Sequence, residues 1–324
     1  MITSGILNIN KPLGPTSRKV VDQVCRVLGT KKVGHAGTLD PSASGVLVVC
    51  FGAATRLIEY VQRGRKTYRA SVRLGVRSDT DDAQGTMEPV VDFVVPTDSD
   101  VRAEVAARIG EVFQIPPRYS AIKKDGTRAY KAARRGEEFD LAPRKVSIYK
   151  IDIHEYNWPL LALEIECGGG TYIRSIARDL GESLGCGGMI ETLERTRVGP
   201  FSLDRAVNLS DLTAENWSEL YLPAGVAVAE LPWVELDDAN TARVIQGKGV
   251  DLAERRDLIV DSQGLGDEPI ELALFDANGK LIAIAELDPV GLTARPRRVF
   301  AAMERDVLDD RESSRLEGNR SRLD

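Results

Sequence analysis

Apolar and polar positions alternate through Gly5-Ile6-Leu7-Asn8-Ile9-Asn10, the period of a strand with one buried face, and Lys11-Pro12 ends the run. Ser17 is placed to cap a helix whose apolar side carries Val20, Val21, Val24, Val27 and Leu28, with Gly29 as its stop. Residues 34–45 read as a loop, 46–51 as a buried strand, 54–62 as a helix and 67–74 as an alternating strand. A helical pattern covers 101–109. Residues 145–153 and 160–167 predict two strands joined through Asn157-Trp158-Pro159. Gly168-Gly169-Gly170 then opens a helix from 171 to about 184, and 189–197 suits a strand or a short helix.

From about residue 231 the pattern restarts. Residues 237–246 predict a helix, and strands at 271–275 and 280–287 flank Asp276-Ala277-Asn278-Gly279, whose Asn-Gly step is a strong hairpin signal. Residues 304–324 are mostly charged and small, with little to bury, and are expected to be a disordered tail. Strands and helices without regular βαβ alternation predict an α+β fold with a mainly antiparallel sheet, followed by a small β-rich domain. No internal repeat is evident.

A length of 324 residues fits two domains at about 150 residues each. No apolar run approaches the ~18 residues of a membrane span, and the first twelve residues lack a basic and an apolar region of the secretory kind. The expectation is a cytoplasmic protein. Cys25, Cys50, Cys167 and Cys186 form no C-x-x-C pair, and only His35 and His154 could join them, so buried free thiols are expected and no zinc site.

The net charge of -6 hides an asymmetry: residues 1–203 carry 29 Lys+Arg against 24 Asp+Glu, residues 204–324 carry 14 against 25. Two stretches are strongly basic, 56–79 with seven cations against two anions and 118–150 with ten against four. One such run is usually a solvated face. Two, beside glycine-rich segments, point toward a polyanion.

Three segments carry candidate chemistry. In Gly34-His35-Ala36-Gly37-Thr38-Leu39-Asp40-Pro41-Ser42-Ala43-Ser44-Gly45, the proline holds Asp40 toward extended backbone between a glycine-rich loop and a buried strand. Asp-Pro is more often a turn former, and a lone His35 more often structural. In the block beginning Gly168-Gly169-Gly170, Arg174 falls in a first helical turn, where a cation opposes the helix dipole. Such a guanidinium is expected to have a carboxylate or phosphate partner, although an exposed arginine tolerating the penalty competes evenly. In Arg65-Lys66-Thr67-Tyr68-Arg69, strand alternation sends Tyr68 and Arg69 to opposite faces, which suits either a core tyrosine or an aromatic that stacks on a base beside phosphate contacts.

Asn10-Lys11-Pro12-Leu13-Gly14-Pro15-Thr16-Ser17, the 34–45 block, Lys66-Thr67-Tyr68, residues 75–85, Pro116-Pro117-Arg118-Tyr119-Ser120-Ala121 and residues 170–181 occur in this order. The set closely resembles the TruB family, the bacterial tRNA pseudouridine-55 synthases, over about residues 5–210 and more weakly over 231–303. Arg118 departs from it, since the family often has an apolar residue there.

The resemblance implies a cofactor-independent isomerisation of a T-loop uridine to pseudouridine. It implies a pseudouridine synthase fold for residues 1–228, a basic RNA-clamping insertion around 118–145 and a PUA-like domain at 229–303. Asp40 matches the family's nucleophilic aspartate, Arg174 the arginine that pairs with it and keeps it ionised, and Tyr68 the tyrosine that stacks on the base and helps remove the C5 proton. Tyr172 and Leu193 match substrate-pocket positions, His35 a histidine that holds the flipped-out nucleotide, and Lys11 and Asp82 supporting positions. The implied partner is the T-arm of tRNA, with no membrane, no obligate protein partner and a monomeric enzyme. The alternatives are a noncatalytic RNA-binding or tRNA-folding protein on the same scaffold, a guide-RNA-dependent relative, which the short stretch before Gly5 argues against, and a glycosidase, for which Asp40 lacks a second acid within its motif.

Overall fold

Ten strands form the central sheet of the computed structural model. It describes residues 4–120, 123–124, 127–128, 135, 141–253, 270–288 and 292–300. Most of the expected insertion around 118–145, and the tail at 304–324, lie outside the described residues. The long path of the sheet runs Val207–Asn208, Ser4–Lys11, Ala43–Gly52, Gly188–Val198, Lys66–Leu74, Leu160–Cys167, Arg144–Asn157 and Gly110–Gln114. Along it only Ser4–Lys11 with Val207–Asn208, and Ala43–Gly52 with Gly188–Val198, pair in parallel. The sheet is therefore mixed and mainly antiparallel, as the irregular order of elements predicted.

Helices cover both faces. Val20, Val24 and Leu28 of the helix Ser17–Leu28 pack on Leu7, Ile9, Leu47 and Val49. On the opposite face of the same strands, Ile6, Val46 and Val48 meet Ala54 and Leu57. This two-sided covering explains why residues 46–51 read as an unbroken apolar run rather than an alternation. Farther along, Ile173, Ile176 and Leu180 of the helix Ile173–Ser183 pack on Val72, Leu74, Leu161 and Leu163, joined by Val101 and Val105.

A second sheet of five strands runs Trp233–Leu236, Ile270–Asp276, Leu281–Asp288, Thr293–Val299 and Val250–Asp251. Its hairpin closes at Asn278-Gly279, with Gly279 at φ 72° and its N–H donating to the Asp276 carbonyl at 2.9 Å. Ala273, Leu281, Ile284 and Phe300 of this half share one apolar cluster with Ile6, Val46, Ala53 and Val198 of the first. Arg56 donates to the Val299 carbonyl at 2.9 Å and Arg298 to the Arg56 carbonyl at 2.8 Å, so the two sheets are joined by packing and by reciprocal arginine bonds.

Several sequence expectations are corrected. Thr16, not Ser17, caps the first helix, accepting from the Lys19 N–H at 3.2 Å, because Ser17 is buried and used elsewhere. The third helix is Asp98–Ala106 rather than 101–109; a capping box between Thr97 and Asp100 starts it earlier. Residues 189–197 are a strand, paired on both sides within Gly188–Val198. Cys25 is only half-buried, whereas the other three thiols, all free, are buried.

The largest correction concerns the first basic run. Arg63 pairs with Glu271 at 2.6 Å, Arg65 with Glu166 at 2.8 Å, Arg69 with Glu164 at 3.4 Å, Arg73 with Glu191 at 2.6 Å and Arg77 with Glu182 at 2.7 Å. Lys66 is buried and Arg56 is spent on the second sheet. Neighbouring strands supply Glu164, Glu166 and Glu191, the helix Ile173–Ser183 supplies Glu182 and the second sheet Glu271, pairings that depend on the fold and are hidden in sequence order. Among the described residues no helix is long and apolar enough to cross a membrane.

Candidate active site

Asp40 is held by its backbone before its side chain is considered. Ser17 Oγ donates to the Leu39 carbonyl at 2.9 Å and accepts from the Leu39 N–H at 2.8 Å. The Pro41 carbonyl accepts from Gly14 and the Asp40 carbonyl from Ala43. The loop thus hangs between the first helix and the strand Ala43–Gly52, whose flanking strand Val33–His35 carries His35. Gly45 sits at φ +100°, and a Cβ there would lie 2.2 Å from the Arg195 carbonyl, so only glycine lets this strand approach Gly188–Val198.

Arg174, the second residue of its helix, is 6% exposed and points at two carboxylates. Its Nη2 lies 2.9 Å from Asp40 Oδ2 and its Nη1 lies 3.8 Å from Asp82 Oδ2. The same nitrogens donate to the carbonyls of Tyr119 at 3.0 Å and Thr80 at 2.9 Å. Asp82, itself buried, accepts from Ser42 Oγ at 2.9 Å, Thr80 Oγ1 at 2.7 Å and the Gln84 N–H at 3.0 Å. The partner expected for a cation in a first helical turn is therefore present, and doubled. The exposed side chain of Arg118 leaves this arrangement intact, since the loop contributes through the Tyr119 backbone.

Burial pushes the Asp40 carboxyl above the usual carboxylate range, and Asp82 adds to this, while Arg174 and Lys11 pull it down. Burial thus outweighs Arg174, the partner expected to keep Asp40 ionised. Lys11 is fully buried, with its Nζ donating to the Pro12 and Pro15 carbonyls at 2.9 Å, and burial lowers it to about 8 against the attraction of Asp40.

A cavity of about 340 Å³ opens beside Asp40, with Tyr68, Tyr172, Arg174, Leu193 and Arg195 in its wall. Leu193 stands between the strand that follows Asp40 and the strand of Tyr68, paired with Ala43 on one side and Ala70 on the other. Tyr172 is fixed by Gln114, which accepts from its N–H at 2.8 Å and donates to its carbonyl at 3.0 Å. Burial raises the phenols of both Tyr68 and Tyr172; for Tyr68 the nearby Arg195 works in the opposite direction. Lys11 and Asp82 stand behind Asp40 and Arg174, outside the wall. His35 is also outside it, with Nδ1 buried and without a hydrogen-bond partner, and its imidazole is held below its ordinary pKa by burial.

Sequence reasoning missed Ser17, Gln114 and Arg195 as positioning groups, and the pair of Asp81 with Arg178 at 3.1 Å behind Asp82. Burial raises Asp81 to about 6, against the pull of Arg178 and Arg174. One signal was available for Arg195: it follows Leu193 by two residues and so shares its face of the strand. Among the described residues no three His, Cys, Asp or Glu side chains are grouped to hold a metal ion. What converges is a carboxylate that can add to an electrophilic carbon, a guanidinium that favours its ionised form, and a phenol across the same cavity.

The sequence matches the TruB family pseudouridylate synthase (N terminal domain) over residues 25–173 and the tRNA pseudouridylate synthase B C-terminal domain over residues 174–227. It is 42% identical to the tRNA pseudouridine synthase B of Dehalococcoides mccartyi over 92% of this chain and 96% of that protein. It is 41% identical to the protein of that name from an Arthrobacter species, over 92% and 97%. The fold is similar to a chain in the crystal structure of a Cbf5–Nop10–Gar1 complex, with a TM-score of 0.68, 26% identity, and 91% of this chain and 84% of that one covered. The mixed sheet flanked by helices is thus the pseudouridine synthase fold, the five-stranded sheet is consistent with a PUA-like domain, and this chain belongs to the TruB family of pseudouridylate synthases.

Proposed function

We propose that the chain isomerises uridine to pseudouridine in tRNA, at position 55 of the T-loop, with Asp40 as the group that engages the ribose. The C1′–N1 bond of the uridine breaks, the base rotates, C1′ bonds to C5, and the proton on C5 is lost while N1 gains one. An ionised carboxylate beside C1′ divides this exchange into easier steps, either by adding there or by assisting glycal formation. Arg174 orients Asp40 and favours its charged form; Asp82 and Lys11 hold the pair from behind. Tyr68 stacks on the base and assists removal of the C5 proton, Tyr172 and Leu193 bound the pocket, and His35 supports the extruded nucleotide.

The single observation that carries this reading is the 2.9 Å contact of Arg174 with Asp40 at the wall of a cavity that Tyr68 shares. A cavity of about 340 Å³ is near the lower end of the ~300–1,000 Å³ of ligand pockets, room for one extruded nucleotide and not for a duplex. Residues 1–228 serve as the catalytic domain, with a basic insertion around 118–145 clamping the RNA, 229–303 as the PUA-like domain and 304–324 as a tail. The enzyme acts in the cytoplasm, as a monomer, on the T-arm of tRNA.

The test is incubation of the purified chain with an unmodified tRNA transcript, followed by carbodiimide mapping. A new stop at the T-loop uridine supports the proposal, a product elsewhere overturns the specificity, and no product overturns the reaction.

A further inference from the structure

Arg195 is among the largest fully buried side chains of the protein, 2% exposed, and among the described residues no carboxylate lies within ion-pair distance of it. A buried guanidinium without a counter-charge is costly unless its donors are satisfied. Here they are satisfied by the site itself. Nε donates to the Val46 carbonyl at 2.8 Å, Nη2 to the Gly37 carbonyl at 3.2 Å and Nη1 to the Thr38 carbonyl at 3.5 Å. Arg195 and Tyr68 also share the wall of the cavity, where the guanidinium works against the burial that raises the phenol. Its backbone is paired with Gly45 on one side and Tyr68 on the other. One fork thus ties the strand Ala43–Gly52 to the loop that presents Asp40, on the face of the sheet that also carries Tyr68.

We infer that Arg195 is a positioning residue for the reaction, which holds the 37–40 loop against Tyr68 and fixes the phenol where it meets the base. The inference rests on the proposed function and adds a cause for the phenol's usefulness. Tyr68 faces Arg195 from the strand Gly188–Val198, Cys167 from Leu160–Cys167 and Asp40 from the loop. Arg195 in turn faces Lys11, His35, Lys66 and Cys167. Lys11 and Lys66 each donate to two backbone carbonyls, and the cation that acts on the phenol is Arg195. To take the proton from C5, Tyr68 must first lose its own to solvent; the nearby guanidinium favours that phenolate without moving, and the phenolate is regenerated when the proton taken from C5 is released to solvent.

The experiment compares Arg195→Lys and Arg195→Gln with the parent chain in single-turnover assays on tRNA transcript across pH, with tRNA binding and circular dichroism in parallel. Arg195→Lys keeps the charge but loses the fork. It is expected to slow pseudouridine formation ~10- to 100-fold, with tRNA affinity within about twofold. Arg195→Gln removes the charge, and its pH–rate profile is expected to shift on the alkaline side toward higher pH, because an unsupported phenol ionises later. In a Tyr68→Phe background either change is expected to cost little more. A uniform loss at all pH, a loss of tRNA affinity equal to the loss of rate, full additivity with Tyr68→Phe, or failure of both variants to fold overturns the inference in favour of a structural role. Asp40→Asn in the same assay keeps the two readings apart: if it retains product, the proposed function fails whatever Arg195 does.

Discussion

Asp40 and Arg174 give the account its sharpest consequences at the scale of single residues. Because burial and Asp82 raise the Asp40 carboxyl more than Arg174 and Lys11 lower it, the ionised form, which the proposed reaction uses, is lost as pH falls through a value above the ordinary carboxylate range. The stability contribution has the opposite sign. The folded chain holds that proton more tightly than the unfolded one, so this group adds stability as pH falls and loses it as pH rises through the raised value. Activity is therefore expected to fall on acidification while the fold, followed by circular dichroism, is retained. An acid limb that coincides with unfolding contradicts this. Replacing Arg174 by methionine leaves Asp40 and buried Asp82 without their counter-charge and two carbonyls without their donor, and is expected to cost about 3–5 kcal/mol in denaturant unfolding, with activity lost.

Among the elements, the loop of Asp40 is as rigid as the groups that anchor it. Ser17→Ala leaves the Leu39 N–H and carbonyl unpaired in a buried place, so unfolding should weaken by about 1–3 kcal/mol and turnover should fall with tRNA affinity unchanged. Equal losses in turnover and affinity would show that the loop binds RNA rather than presents Asp40. Much of this architecture was legible in sequence, because apolar periodicity marks strands and helices where burial is one-sided or complete. The Gly34–Gly45 block and Arg174 were legible because each broke a local rule, a glycine-rich approach to a strand and a cation against a helix dipole. Ser17 was misread because a serine before an amphipathic helix looks like its cap, while Thr16 could fill that role and free Ser17 to reach Leu39. Arg195 and Asp81 were missed because their partners are far away in sequence, and only register brings them together.

For the whole molecule, the placement of charge decides how RNA is held. The arginines at 63, 65, 69, 73 and 77 are each matched by a glutamate, so they contribute little net field, and exposed pairs of this kind stabilise by only about 0–1 kcal/mol. Arg69→Gln and Arg73→Gln are expected to leave tRNA affinity within about twofold and the slope of log K against log salt unchanged. A slope reduced by ~0.7 for each substitution would reveal direct phosphate contacts. The shared apolar cluster of Val198, Ala227, Ala273, Ile284 and Phe300 makes the second sheet part of the structural support of the first rather than a tethered appendage. The proposed reaction depends on one carboxylate beside one cavity. The most direct measurement is tritium release from C5 of uridine-labelled tRNA by the parent chain and by Asp40→Asn, with both proteins matched for folding and tRNA binding. The account predicts full release with the parent and none above background with Asp40→Asn; release by Asp40→Asn at a rate near that of the parent would contradict it.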